Sequence, residues 1–325
     1  MSKVIDLQLS LPPSEEEIIS LAKLFTLGRG EKGMANYRYI FWPEKARSLG
    51  LNVEELDRMS DELSLKEFED ALRERVKRLV VPLSQFVEEL DEADVEWGVI
   101  EAESNDRTAE LVAQFPNKFV GIALVSPHEG MKGVKELERA VKELGLRSFL
   151  ASPFRSGLRS NDKKFYPFYA KAVELNIPVY FYTTMNYRTD RPMDLARPID
   201  LDEVAMDFPE MTIIAGWGGG GGWPWVPEMI GVARRHQNIY IDVSAHRPKY
   251  LATPGSGWEM LMQFGNTLLQ DKIVFASGWN NYFSYSKDVV KNVIQEMKSL
   301  PLKDEVKEKW LYENAARLFD KHKPA

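Results

Sequence analysis

The sequence predicts an α/β protein that folds as a single (β/α)8 barrel, the TIM barrel. Two observations favour this fold: eight short apolar runs have the composition of buried strands, and from residue 97 onward amphipathic helices alternate with them. The repeat is about 30 residues long, as in closed parallel barrels. An open doubly wound sheet fits less well because no glycine-rich dinucleotide loop follows the first strand.

The eight predicted strands are rich in β-branched and aromatic residues. They begin near Val4, Trp97, Lys118, Arg147, Pro178, Met211, Asn238 and Lys272. No linker-like or low-complexity tract divides the 325 residues, so we expect one domain over residues 1–325.

The interval between the first two strands predicts a helical insertion over residues 11–93. Ser64 and Glu67 form a capping box that opens a helix with one apolar face. Farther on, Asn161 and Asp162 are candidate caps for a later helix that contains Phe168. We expect the insertion to lie over or beside the carboxyl-end mouth of the barrel.

The composition limits the function. The net charge of −7, from 42 basic and 49 acidic residues, argues against nucleic acid as a partner. The chain has no cysteine, which excludes disulfides, thiolate metal sites and a cysteine nucleophile. No apolar stretch is long enough to span a membrane and residues 1–10 lack a signal-peptide pattern, so a cytoplasmic protein is expected.

In a barrel of this kind, chemistry takes place at the carboxyl ends of the strands. The polar and aromatic residues expected there include Asp6, Gln8, Ser10, Glu101, Glu103, His128, Arg155, Tyr182, Trp217, Asp242, Ser244, His246, Trp279 and Asn280. Because side chains alternate along a strand, about half of such a set points inward.

The sixth strand ends at an unusual sequence. Gly216 is followed by Trp217 and then by five glycines, Gly218 to Gly222. Such a run costs backbone entropy, which indicates either a crowded strand-to-helix turn or a close approach to a ligand. No Lys-Ser or Lys-Thr pair follows, so a phosphate-binding loop is not indicated.

Eight short motifs follow one another along nearly the whole chain. They are Val4-Ile5-Asp6, Phe165-Tyr166-Pro167, Ile177-Pro178-Val179, Phe208-Pro209-Glu210, Ile213-Ile214-Ala215-Gly216, Trp223-Pro224-Trp225, Val274-Phe275-Ala276-Ser277 and Glu313-Asn314-Ala315-Ala316-Arg317-Leu318. By the order and spacing of these motifs, the chain resembles the amidohydrolase-related family that includes aminocarboxymuconate-semialdehyde decarboxylase and the resorcylate-type decarboxylases.

The resemblance implies five positions that hold a divalent metal in other members: His-x-His on the first strand, His after the fifth and the sixth, and Asp after the eighth. In this chain they are Gln8, Ser10, Tyr182, Trp217 and Gly278. None of these is a good ligand, since tyrosine is protonated near neutral pH and Trp and Gly offer no ligand atom. We therefore expect no bound metal and no other cofactor.

The replacements have an aromatic character in common. Tyr182, Trp217 and Trp279 suit the walls of a pocket for a planar ring, and Gly278 adds room. The alternative is that bulky side chains fill the space of the lost ligands and serve only stability.

Two classes of function remain open. The first is a metal-independent decarboxylase, C–C lyase or hydrolase that acts on a small cyclic or aromatic carboxylate. His246, Tyr182 and His128 are its acid/base candidates. Arg155 is its candidate carboxylate partner. The candidate substrate-binding residues are Asp6, Gln8, Ser10, Glu103, Arg155, Trp217, Ser244, Trp279 and Asn280.

The second class is a non-catalytic relative that binds a ligand or supports a partner. The loss of all five metal positions favours it. A homodimer is an expectation from the resemblance alone.

Overall fold

The computed structural model describes residues 3–26, 47, 50, 52–186, 188–219, 225–244, 255, 257–278, 288–320 and 324. Its centre is a sheet of eight parallel strands in chain order. The strands are β1 (Val4–Asp6), β2 (Val95–Ile100), β3 (Phe119–Leu124), β4 (Ser148–Ala151), β5 (Val179–Tyr182), β6 (Ile213–Gly216), β7 (Ile239–Asp242) and β8 (Ile273–Val274). All eight predicted strands are confirmed.

Hydrogen bonds join the first strand to the last. The Leu7 N–H donates to the Phe275 carbonyl at 3.1 Å, and the Gly278 N–H donates to the Gln8 carbonyl at 3.0 Å. A parallel bridge pairs Leu9 with Gly278. The sheet therefore curls until its two edges meet, as the barrel prediction requires.

Helices separate the strands. They are α1 (Glu15–Thr26), α2 (Val53–Glu62), α3 (Leu65–Val76), α4 (Leu83–Glu92), α5 (Asn105–Gln114), α6 (Met131–Lys142), α7 (Pro153–Ser156), α8 (Tyr166–Leu175), α9 (Asp200–Asp207), α10 (Val226–Arg235), α11 (Trp258–Gly265), α12 (Val289–Lys298), α13 (Asp304–Glu308) and α14 (Asn314–Leu318). No helix in the described ranges is long and apolar enough to cross a membrane.

Helices α1 to α4 lie in the interval for which the sequence predicts an insertion. The capping box is confirmed: Ser64 caps α3, and its N–H donates to the Glu67 carboxylate at 2.9 Å. Residues 27–46 are outside the described part, so the full insertion and its place beside the mouth stay a prediction. Asn161 and Asp162 were wrong as caps, because α8 begins after Phe165 with no side-chain cap.

Two apolar layers follow from side-chain alternation. Ile5, Trp97, Tyr180 and Ile214 belong to the cluster inside the barrel. Their strand neighbours, such as Phe181, belong to the larger cluster between sheet and helices. At the amino end, Phe319 packs edge-on against Trp97, with ring centroids 5.5 Å apart, and helps to close the interior. Functional side chains are expected at the opposite end of the barrel, where the strands have their carboxyl ends.

Candidate functional site

Three aromatic rings stack at the carboxyl ends of β4, β5 and β6. Tyr182 and Trp217 lie face to face, with centroids 4.4 Å apart and planes 4° from parallel. Phe154, in α7, stacks on Trp217 at 5.7 Å and on Tyr182 at 6.1 Å. Tyr182 is buried, whereas Trp217 is partly exposed. The predicted meeting of Tyr182 and Trp217 is confirmed, and Phe154 is a member that the sequence analysis missed.

The backbone at Trp217 is strained. Its φ is +61°, in the left-handed region that is costly for a residue with a Cβ. The neighbouring Gly216 has no room for a side chain, because a Cβ there would lie 2.2 Å from Cε1 of Tyr180. Strain of this kind persists only where the surroundings hold it, and it concentrates at ligand sites.

Part of the glycine run lies in the described residues. Gly218 and Gly219 both have positive φ, and a Cβ on Gly219 would lie 2.7 Å from the Trp225 carbonyl oxygen. The Gly219 N–H donates to the Thr183 carbonyl at 2.8 Å. This N–H is therefore occupied within the turn. The interpretation of the glycine run as a crowded strand-to-helix turn therefore applies to Gly219. Gly220 to Gly222 lie outside the described residues.

Two fully buried carboxyl groups lie on either side of β8. Oδ1 of Asp6 accepts the N–H groups of Gln8 at 3.1 Å and Ser277 at 3.0 Å. Oδ1 of Asp242 accepts the Ser244 N–H. Asp6 was a predicted site residue. Asp242 was not among the predicted catalytic or substrate-binding residues. Its neighbours Ile241 and Val243 face the outer layer, so side-chain alternation along β7 marks Asp242 as inward-facing.

Both carboxyl groups have perturbed acidity. Burial raises the pKa of Asp6 to about 6, although hydrogen bonds from Ser277 and from the Gln8 N–H act in the opposite direction. Burial raises the pKa of Asp242 to about 7; the negative charge of Asp6 adds to the rise, and bonds from Ser244 and Trp217 oppose it. A carboxyl group with a pKa near 7 exchanges its proton at neutral pH.

Among the described residues, several buried polar atoms of the strands and of the segment after β1 have no hydrogen-bond partner. They are Oδ2 of Asp6, Oδ2 of Asp242, both amide atoms of Gln8 and the hydroxyl of Tyr180. Buried polar groups are nearly always satisfied by protein, water or ligand. Unsatisfied groups on three different strands therefore indicate a place where something else binds.

The five metal-ligand positions of the resemblance do not fit a metal. The hydroxyl of Ser10 donates to the Gly278 carbonyl at 2.8 Å, and Tyr182 is engaged in the aromatic stack. Gly278 has a φ of +72°, and a Cβ there would lie 3.1 Å from Cβ of Ser244. No group of three or more His, Cys, Asp or Glu side chains within the described residues is arranged to hold a metal.

The remaining predicted residues lie around this centre. Arg155 is half exposed and forms an ion pair with Glu101 at 2.7 Å. Glu103 is exposed, and Nε2 of the exposed His128 lies 2.8 Å from the Ser156 carbonyl oxygen. Ser244 is buried beside Gly278. The predicted residues His246, Trp279 and Asn280 lie outside the described part of the chain.

A second arginine near the stack was missed by the sequence analysis. Arg191 donates through Nη1 to the backbone carbonyl of Phe154, the residue that stacks on Trp217. Its guanidinium forms no ion pair with the described acidic residues. Arg155, in contrast, already has a carboxylate partner in Glu101.

Comparison with known proteins gives a family match and more distant relatives. Residues 41–321 match the family model described as amidohydrolase. A 2-keto-4-carboxy-3-hexenedioate hydratase of Sphingobium sp. is 30% identical over 134 residues, which cover 36% of this chain and 39% of the relative. A gamma-resorcylate decarboxylase of Polaromonas sp. is 33% identical over 85 residues, 24% of this chain and 26% of the relative. The chain thus matches well under half the length of either curated relative.

Among solved structures, a TIM-barrel protein of Bordetella bronchiseptica superposes with a TM-score of 0.66. The sequences are 23% identical, and the superposition covers 98% of this chain and 99% of that one. At this identity the likeness shows the fold, and it confirms the barrel prediction.

Proposed function

Because the chain belongs to the amidohydrolase family, we propose that it is an enzyme that breaks or forms a bond next to a carboxylate on a small cyclic or aromatic substrate without a metal. The observation that carries the proposal is the partly exposed Trp217 ring, held by a strained backbone at the carboxyl end of the barrel. A flat, rigid wall of this kind suits a planar substrate. The two curated relatives act on unsaturated or aromatic carboxylates, as their names state.

The stack restricts where such a substrate binds. Tyr182 and Trp217 are in contact with each other at 4.4 Å, so no ring fits between them. The substrate ring therefore lies against the solvent-accessible part of Trp217. Arg191 is the proposed partner of its carboxylate, with Arg155 as the alternative at the rim.

Decarboxylation is the reaction type that this arrangement supports best. The bond between the ring carbon and the carboxyl carbon breaks, CO2 leaves, and the electron pair stays on the ring carbon, which takes up a proton. Tyr182 and His246 remain the proposed proton donors, and His128 is the third candidate. Hydration of a conjugated acid also needs only proton transfer and a positioned water, and the similarity to the hydratase favours it as the second reaction.

Binding and turnover of γ-resorcylate test the proposal. We expect Trp217→Ala to weaken binding by about 1–3 kcal/mol, the range of aromatic stacking on a planar base. Tyr166→Phe is the matched control, because Tyr166 lies on the outer helical layer and bonds Asp207 at 2.8 Å. If the aromatic cluster is only core filling, Trp217→Ala instead lowers the free energy of unfolding by roughly 3–5 kcal/mol with unchanged affinity. If γ-resorcylate binds but is not turned over in any buffer or with any added metal ion, the non-catalytic alternative is favoured.

A further inference from the structure

An ion pair spans neighbouring strand ends beside the aromatic stack. Nη2 of Arg155 donates to Oε1 of Glu101 at 2.7 Å. Glu101 directly follows β2, and Arg155 lies in α7, which follows β4, so the pair reaches across the end of β3 between them. Trp97 and Val99 of β2 belong to the cluster inside the barrel, and alternation places Glu101 on the same side. The carboxylate therefore lies at the mouth of the barrel.

Helix α7 joins this ion pair to the proposed ligand site. Phe154 and Arg155 are consecutive residues, so their Cα atoms are about 3.8 Å apart. The ring of Phe154 stacks on Trp217 with a centroid distance of 5.7 Å, and both rings pack against the interior cluster. The ion pair and the aromatic wall therefore occupy adjoining parts of the mouth and meet at α7.

One oxygen of Glu101 has no hydrogen-bond partner. Oε1 accepts from Arg155, whereas Oε2 is buried and accepts no hydrogen bond from any described residue. Such groups are rare in folded proteins, because a buried acceptor loses its hydrogen bonds to water and gains nothing in return. An ionised carboxylate only accepts hydrogen bonds, so the missing partner is a donor.

The chemistry of the ion pair indicates which ligand group could be this donor. Arg155 balances the negative charge of Glu101, so the pair does not repel an anionic ring. The carboxylate of a ring acid cannot donate to Oε2, but a hydroxyl group on the ring can. A hydroxyl group ortho to the carboxylate donates to the carboxylate of its own molecule. The hydroxyl group available to Glu101 is therefore meta or para to it.

We propose that Glu101 is a specificity-determining residue, whose Oε2 accepts a hydrogen bond from a meta or para hydroxyl group of a ring acid bound against Trp217. This inference rests on the proposed function and narrows its substrate class to hydroxylated ring acids. Glu101 contacts the ligand at the hydroxyl group and not at the carboxyl group, so it selects the ligand and takes no part in proton transfer to the ring.

Calorimetric binding of matched ligands tests this role. The probes are meta- and para-hydroxybenzoate, each compared with the corresponding methoxybenzoate, which has no hydrogen to donate, and with benzoate. We expect the wild type to bind at least one hydroxybenzoate about tenfold more tightly than both comparison ligands, as for a hydrogen bond to a charged acceptor. Glu101→Gln should reduce this preference to about threefold or less, because a neutral amide oxygen is a weaker acceptor.

Glu110→Gln is the matched control. Glu110 also pairs with an arginine, since Nη1 of Arg107 lies 2.8 Å from its Oε2, but this pair is on the exposed surface of α5. The control should keep the preference of the wild type. A purely structural role of Glu101 would change the affinity for all the ligands alike, so the ratio between them separates recognition from support of the fold.

The outcomes distinguish this inference from the proposed function. Equal binding of hydroxy- and methoxybenzoates to the wild type, or a preference that persists in Glu101→Gln, overturns the role of Glu101 and leaves the ligand site intact. If no benzoate binds, the proposed carboxylate ligand fails, and phenol compared with anisole decides the inference alone. Tighter binding of phenol that is lost in Glu101→Gln and kept in Glu110→Gln supports it. Equal binding of the two compounds, or none, overturns it.

Discussion

Replacing Asp242 with asparagine should change how the stability of the barrel depends on pH. Burial raises the pKa of Asp242 from an ordinary 3.8 to about 7 in the folded protein. The folded state therefore holds the proton more tightly than the unfolded chain. It follows that the free energy of unfolding of the wild type falls as the pH rises from about 4 through about 7 and then levels off. At about 1.4 kcal/mol for each unit of pKa, this contribution is about 4 kcal/mol.

The asparagine variant lacks this contribution, because its amide is neutral at every pH. Relative to the wild type, its free energy of unfolding should improve by about 4 kcal/mol between pH 4 and pH 8. With an unfolding entropy of about 2 cal/mol/K per residue, 325 residues convert this to a relative gain of about 6 °C in melting temperature. Thermal unfolding of both proteins across this pH range measures the difference, with Asp162→Asn as the control. A constant difference in melting temperature across pH would refute the reasoning that Asp242 is protonated because it is buried.

Three further predictions concern packing, strain and metal. Gly216→Ala should lower the free energy of unfolding by about 2 kcal/mol, because its Cβ would lie 2.2 Å from Tyr180. Gly231→Ala in α10 is the control, because a Cβ at Gly231 has nothing within 4 Å, and it should raise the free energy of unfolding by up to about 1 kcal/mol. Equal effects of the two substitutions in urea unfolding would contradict the packing argument. Trp217→Gly should be more stable than Trp217→Ala by about 1 kcal/mol, since glycine adopts the φ of +61° without strain; the reverse order in melting temperature would show that this conformation relaxes. Elemental analysis of the purified protein should find well below one zinc, manganese or iron per chain, and a value near one with activity lost on chelation would refute metal independence.

The amino-acid sequence determined the positions of the strands and the alternation of strands with helices. Periodicity located all eight strands, and the local capping box at Ser64 and Glu67 located the start of α3. It also placed Tyr182 and Trp217 together, because they end neighbouring parallel strands. Local reasoning failed at Asn161 and Asp162. Nδ2 of Asn161 donates to Glu203 at 2.7 Å instead of capping a helix, and that carboxylate is distant in sequence.

Only the tertiary structure decided the character of the site. Tyr182 and Trp217 were expected to line one pocket, and only the structure shows that their rings stack on each other, which no strand pattern specifies. The hydroxyl of Ser10, a predicted substrate-binding residue, bonds the carbonyl of Gly278, which is 268 residues away and could not be identified from the sequence. The importance of Asp242 was equally hidden, because closure of the barrel brings Asp242 from β7 and Asp6 from β1 to the two sides of β8. Burial by the whole fold then sets their pKa, and such a long-range effect of desolvation leaves no mark in the local sequence.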